Sequence, residues 1–242
     1  IIMKKHLILT AFIVSLLTLS ACGNKIDSSS SQADSTAESI GEEVYDNEQS
    51  NTESADDGPA DNESSRILVA YFTMPEDGTD ADAGASRVVT DAGEIQGNVE
   101  YFAKIIAEET GADLLQIQTV QQYPGDHETL VDQAAEERDS GARPELASYI
   151  ENLDDYDTIF VGYPIWWYDM PMAMNTFFEE YDFSGKTIVP FSSHGGSGFS
   201  TSLDDIAAYE PDAALLDGFT VSRDDVPNSA DDLKAWVAGL DI

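Results

Sequence analysis

The chain has 242 residues, with 11 Lys and Arg against 47 Asp and Glu and a formal net charge of −36. That surplus excludes a nucleic-acid binder, because a phosphate backbone is held by Lys and Arg, and it excludes an electrostatic patch for anionic lipid. One cysteine, Cys22, leaves no disulfide, thiolate metal site or thiol nucleophile downstream, and three histidines, one in the opening segment, make a histidine metal centre improbable.

Lys4, Lys5 and His6 precede an apolar run from Leu7 to Leu17, which is short for a membrane span and reads as a targeting signal, with Met3 the natural start. Leu19-Ser20-Ala21-Cys22 follows and resembles the lipobox of bacterial lipoproteins. The resemblance implies a signal over residues 1–22, cleaved before a lipidated Cys22; an ordinary secretory signal with an incidental cysteine is the alternative. Ile26 to Ser65 contains no Lys, Arg or His and is rich in Ser, Asp, Glu, Asn and Ala, so residues 23–65 read as a solvated tether. The expectation is an exported chain, anchored to the cell membrane through its acyl group and facing away from the cytoplasm.

From Arg66 the composition turns apolar and periodic, and residues 66–242 are long enough to bury roughly 70% of their unfolded surface in one core. Arg66 to Phe72 reads as a buried strand, Asn98 to Thr110 as a helix stopped at Gly111, and Ala112 to Gln118 as a second strand. Helical patterns follow over Thr129–Arg138 and, opened by Pro144, over Pro144–Asn152. Thr158–Tyr163 is a third strand, Pro171–Tyr181 a helix, Lys186–Phe191 a fourth strand, Thr201–Tyr209 a helix, Gly218–Val221 a fifth strand and Ser229–Leu240 a closing helix. This alternation predicts an α/β fold with a parallel sheet and right-handed crossovers, in which ligands sit beyond the carboxyl ends of the strands.

The loops at those ends hold the unusual residues. Gly162-Tyr163-Pro164-Ile165-Trp166-Trp167-Tyr168 supplies aromatic faces, and Ser193-His194-Gly195-Gly196-Ser197-Gly198 supplies bare backbone; a flat polar heterocycle needs both. These segments, with Ile67–Thr73, Gly97-Asn98 and Gly185–Phe191, resemble the flavodoxin family, specifically flavodoxin-like proteins of bacterial envelopes, over essentially all of Arg66–Ile242. The resemblance implies a flavodoxin-like three-layer sandwich with a five-stranded parallel sheet in the order 2-1-3-4-5, and one non-covalent FMN.

By that resemblance Thr73, Gly97 and Asn98 hold the phosphate at the start of the first helix, with Val99 where the family has threonine. Pro164, Ile165, Trp166, Trp167 and Tyr168 surround the ring on one side, and Ser193, His194, Gly195, Gly196, Ser197 and Gly198 bring backbone to the other. Because Trp166 and Trp167 are adjacent, one is expected to pack inward and the other to face the ring. His194 is a possible catalytic residue or a loop histidine with a local partner; His127 reads as a surface residue. Between Thr73 and Gly97 lies an acidic insertion, Met74–Gln96, readable as a surface loop or as an outward lid with Ser86-Arg87 turned back. Asp77, Asp80 and Asp82 within it miss the spacing of an EF-hand loop. The function implied is FMN-dependent electron transfer or NAD(P)H-dependent reduction of a small-molecule acceptor, enzyme or carrier being open, with an unknown redox partner and no nucleic acid. A scaffold module of the same fold that has lost FMN is the alternative.

Overall fold

The computed structural model describes residues 66–76 and 86–242. The signal, Cys22, the tether and the residues Asp77, Asp80 and Asp82 lie outside the described residues.

Strand β1 (Ile67–Tyr71) buries Leu68 and Ala70 on one face and Val69 and Tyr71 on the other, which requires a packed layer on each side. It pairs in parallel with β4 (Asp113–Gln116) and β5 (Thr158–Pro164), and β5 pairs in parallel with β6 (Thr187–His194). The far side of β6 takes two short strands in succession, β7 (Ala214–Leu215) beside Thr187–Ile188 and β8 (Phe219–Ser222) beside Phe191–His194. The expected order 2-1-3-4-5 is thus present as β4-β1-β5-β6-β7/β8, its last position split between two strands.

Helices α1 (Asn98–Thr110) and α5 (Ala230–Ala238) cover one face, where Val99, Phe102, Ile106, Leu233 and Val237 join Val69, Phe160 and Phe191. On the other, α2 (His127–Ser140), α3 (Met172–Glu180) and α4 (Ser202–Tyr209) contribute Leu130, Ala173, Met174, Phe177 and Ile206 against Leu68, Ile159 and Ile188. Gly162 is required at the centre of the sheet, since a Cβ there would lie 2.2 Å from the Phe191 ring.

Two segments depart from the sequence expectation. No helix forms over residues 144–152. Leu146 is fully buried and bridges Thr119 in antiparallel fashion, with Val120 N–H donating to Glu145 O and Ala147 N–H to Gln118 O at 2.8 and 2.7 Å. Chain leaving the edge of the sheet needs backbone partners, and this stretch supplies them extended, so the helical periodicity goes unused. The second departure is in the acidic insertion, whose described part forms an antiparallel hairpin of β2 (Arg87–Val89) and β3 (Ile95–Gly97), leading directly into α1.

Candidate functional site

Strand order reverses between β1 and β5, and the loops that leave these strands and β6 part there to open a crevice. Hydrogen bonds continue the sheet past the strand ends: Phe72 N–H donates to Gly162 O (2.8 Å), Ile165 N–H to Ser193 O (2.9 Å) and Arg223 N–H to His194 O (2.8 Å). They bring the segments after β1, β5, β6 and β8 together.

After β5 the chain makes a tight turn in which Trp166 N–H donates to Asp169 O at 2.8 Å and Asp169 N–H returns to Trp166 O at 3.0 Å. Its two central residues, Trp167 and Tyr168, both have positive φ, 52° and 69°. That is the dihedral signature of a type I′ turn, ordinarily filled by Asn-Gly, and L-residues with large side chains adopt it at a cost. The turn separates the tryptophans as expected. Trp166 packs inward, edge-on to Phe72 and Tyr123 with centroids 5.5 Å apart in each case. Trp167 is 44% exposed and Tyr168 71%. Trp167 is held by an Nε1–H bond to Val131 O (3.1 Å) and by the Arg138 guanidinium 5.0 Å from its ring centre.

Opposite this turn runs the glycine loop. Gly196 and Gly198 have φ of 117° and 60°, which glycine adopts without strain. Gly196 N–H donates to His194 Nδ1 at 2.8 Å, so the neutral imidazole carries its proton on Nε2, and burial pushes His194 below the ordinary imidazole pKa. Ile165, Trp167 and Tyr168 on one side and Gly195, Gly196 and Ser197 on the other line an open slot of about 350 Å³. It shares Ile165, Trp167 and Gly195 with a cleft of about 180 Å³, which also touches Pro164, Trp166, Ser193, His194 and Arg223 and is floored by Leu130, Val131 and Ala134 of α2.

The far end of the cleft is polar. Glu76 N–H donates to Ser86 Oγ (3.0 Å), Glu76 O accepts from Arg87 Nη1 (3.2 Å), and Glu76 Oε1 lies 2.7 Å from His127 Nδ1. Ser86 and Arg87 therefore turn back onto the segment after β1, with Arg87 buried. Thr73, Asn98 and Val99 are buried, Val99 within the apolar core on the α1 face, and these three with Gly97 and Gly198 are not among the residues lining the cleft or the slot. Gly97 packs on Thr73 so closely that a Cβ would fall 1.9 Å from Thr73 Oγ1. The amides of Gly97, which ends β3, and of Asn98, the first residue of α1, are engaged within the protein: Gly97 N–H with Glu100 Oε2 (3.3 Å) and Asn98 N–H with Ser86 O (2.8 Å).

Behind the aromatic turn, burial and the neighbouring Asp205 carboxylate hold Asp169 above the usual aspartate range, while its Oδ1 accepts from Met170 N–H at 2.7 Å. Sequence reasoning missed Glu76 and Arg223 as members of the cleft; His127, read as a surface residue, is exposed and also lines the cleft. Arg223 follows β8 with no motif around it, and the meeting of Glu76 with His127 spans 51 residues, so neither carries a local signal.

The chain is similar to known proteins. The family model described as Flavodoxin matches residues 87–240. A protein from Bacteroides eggerthii DSM 20697 classed as a flavoprotein is 28% identical, with 74% of this chain and 99% of that chain covered and a TM-score of 0.57. One from Bacteroides uniformis ATCC 8492, classed likewise, is 28% identical over 72% of this chain and 98% of its own, with a TM-score of 0.57. A flavoprotein from Lactobacillus acidophilus NCFM in complex with FMN is 15% identical over 70% and 99%, with a TM-score of 0.48. No curated protein matches the sequence. With order β4-β1-β5-β6-β7/β8, a crevice at the reversal of that order and a family match over most of the folded region, the chain belongs to the flavodoxin family.

Proposed function

We propose that this protein binds FMN and acts as a redox protein at the outer face of a membrane, passing electrons to a small-molecule acceptor or a protein partner. Family membership supports FMN as the cofactor, and the observation that carries the reading is the slot between the Trp167-Tyr168 turn and Gly195–Ser197. Its two walls suit a planar ring: aromatic faces on one, and on the other a backbone that approaches because no Cβ intervenes. Bound there, FMN supplies one- and two-electron transfer, chemistry that belongs to the cofactor.

The chain's own residues bind and orient. Trp167 and Tyr168 would face the ring, and His194 presents Nε2–H as a donor. By family resemblance Thr73 and Asn98, near the start of α1, would hold the phosphate end, with Ser86 the member of this group that lines the cleft; the Gly97 and Asn98 amides already have partners. Those engaged amides favour the second reading, a flavodoxin-fold module without FMN. Export and lipid anchoring rest on the signal and the lipobox-like Leu19–Cys22.

Flavin uptake tests the reading. Apoprotein titrated with FMN and riboflavin should quench the fluorescence of both, with FMN bound about tenfold more tightly through charge-assisted hydrogen bonds to its phosphate. Absence of quenching with either ligand refutes the flavin reading; equal affinities refute the phosphate seat. Cys22→Ser should release mature-sized protein from membranes, and its retention in the membrane fraction would refute the anchor.

A further inference from the structure

Cofactor binding makes no use of the buried carboxylate of Glu76. The Glu76 side chain is only 5% exposed, its backbone is clamped on both sides by Ser86 and Arg87, and its carboxylate meets His127. A carboxylate removed from water is costly unless a donor or cation faces it, so such a fixed arrangement needs a reason. Helix capping is not the reason. His127 opens α2, but the cap is Asp126, whose carboxylate accepts from Thr129 N–H at 3.0 Å. With Nδ1 bound to Glu76, the atom left to act is His127 Nε2; the ring is 55% exposed and lines the cleft with Trp166 and His194.

We propose that Glu76 and His127 form a proton-transfer pair serving a quinone-class acceptor in the cleft, His127 Nε2 donating the proton and Glu76 acting as positioning residue. This rests on the redox reading above. Reducing a quinone to a hydroquinone takes two electrons and two protons. Bound FMN, reduced beforehand by a nicotinamide-class donor, would supply a hydride equivalent, which is both electrons and one proton. The second proton leaves His127 Nε2 as the N–H bond breaks and an O–H bond forms at the quinone carbonyl oxygen. The imidazolium becomes a neutral imidazole that keeps Nδ1–H on Glu76, and solvent at its exposed edge returns the proton. Among the described residues, the charged and titratable groups facing or flanking the ring are Glu76 and Arg87 from the segments around the insertion, Asp126 and Glu128 beside it in sequence, and His194 and Arg223 on the cleft lining.

The test uses full-length protein loaded with FMN, reduced with dithionite and mixed with menadione in a stopped-flow instrument. Ferricyanide, which takes one electron and no proton, is the control oxidant. His127→Gln should slow menadione reduction about 100-fold relative to ferricyanide. Glu76→Gln, which keeps an acceptor for Nδ1–H but not its charge, should slow it less. A long-range proton–nitrogen NMR spectrum of the apoprotein should show the neutral His127 ring protonated on Nδ1, and a ring protonated on Nε2 overturns the positioning role without any rate being measured. Equal slowing with both oxidants, or with neither, overturns the proton role. Failure to take up flavin defeats the redox reading and this proposal together, and the absorbance spectrum reports it beforehand; normal uptake with a menadione rate indifferent to His127→Gln defeats this proposal alone.

Discussion

Replacing Tyr168 with glycine should make the protein more stable and its ligand site worse. Tyr168 has φ of 69° and is 71% exposed. Left-handed backbone costs an L-residue about 1–2 kcal/mol, and glycine escapes that cost while giving up roughly 0.5–1 kcal/mol of chain entropy on folding. The contact tying Tyr168 to its neighbours, its carbonyl accepting from Thr201 Oγ1 at 3.2 Å, is main-chain and survives. The net gain is about 0.5–1 kcal/mol, or roughly 1–4 °C in Tm for a domain of this size. Removing the ring also strips one wall of the slot, and a lost aromatic contact of about 1 kcal/mol weakens FMN roughly fivefold. Trp167→Gly should show the same loss of affinity with little gain in Tm, since it also forfeits the Val131 hydrogen bond and the Arg138 contact. Thermal unfolding of apoprotein and fluorescence titration with FMN measure the two effects separately. A Tyr168→Gly protein that melts lower than wild type would refute the strain argument, and unchanged FMN affinity would remove Tyr168 from the site.

Three further outcomes are expected. Gly162→Ala drives a Cβ to 2.2 Å from the Phe191 ring in the centre of the sheet and should cost about 1–3 kcal/mol in denaturant unfolding, and Phe191→Leu in the same chain should recover part of that loss. Burial and Asp205 raise Asp169 above 3.8, so the folded state binds the extra proton and stability falls as pH rises through the interval between the unfolded and folded pKa; Asp169→Asn should be more stable than wild type at pH 7 and lose that advantage near pH 3, and a gap independent of pH would refute the assignment. His194 is shifted the opposite way, below 6.5, so the fold binds fewer protons than the unfolded chain and its contribution disappears as pH falls; protonation at Nδ1 breaks the Gly196 bond, and the Gly196 amide should lose hydrogen-exchange protection in excess of the intrinsic pH effect once pH drops through the His194 pKa.

The layers were readable because burial on both faces leaves a mark. Val69, Phe160 and Val189 lie on one side of the sheet and Leu68, Ile159 and Ile188 on the other, which makes β1, β5 and β6 continuous apolar runs, and Gly111 stops α1 in the left-handed conformation. The misread stretch, residues 144–152, has a proline suited to a first helical turn and apolar residues at helical spacing. Its conformation is decided by residues 118–120, whose backbone groups and the pocket for Leu146 reward an extended chain more than a short, uncapped helix. The β2–β3 hairpin was hidden differently. Its Asp91-Ala92-Gly93 turn is visible in retrospect, but the surrounding acidic residues dominated the reading, and only Val88 of its exposed-edge valines turns inward.

The site divides along the same line. Its aromatic and glycine residues are contiguous in sequence, so their chemistry could be read directly; its polar end is assembled from Glu76, Ser86, His127 and Arg223, which no local pattern joins. The site is also where local preference is overruled. Large side chains hold left-handed backbone at Trp167 and Tyr168, a carboxylate is buried at Glu76, and Asp169 is desolvated beside Asp205. In the sheet and its covering helices, by contrast, propensity, pattern and packing agree. Rules broken together at the carboxyl end of one sheet, around one crevice, are the pattern expected of a site that gives up stability for binding. The sign of the Tyr168→Gly effect on Tm therefore tests more than one turn: it asks whether the strain and the ligand site have the same cause.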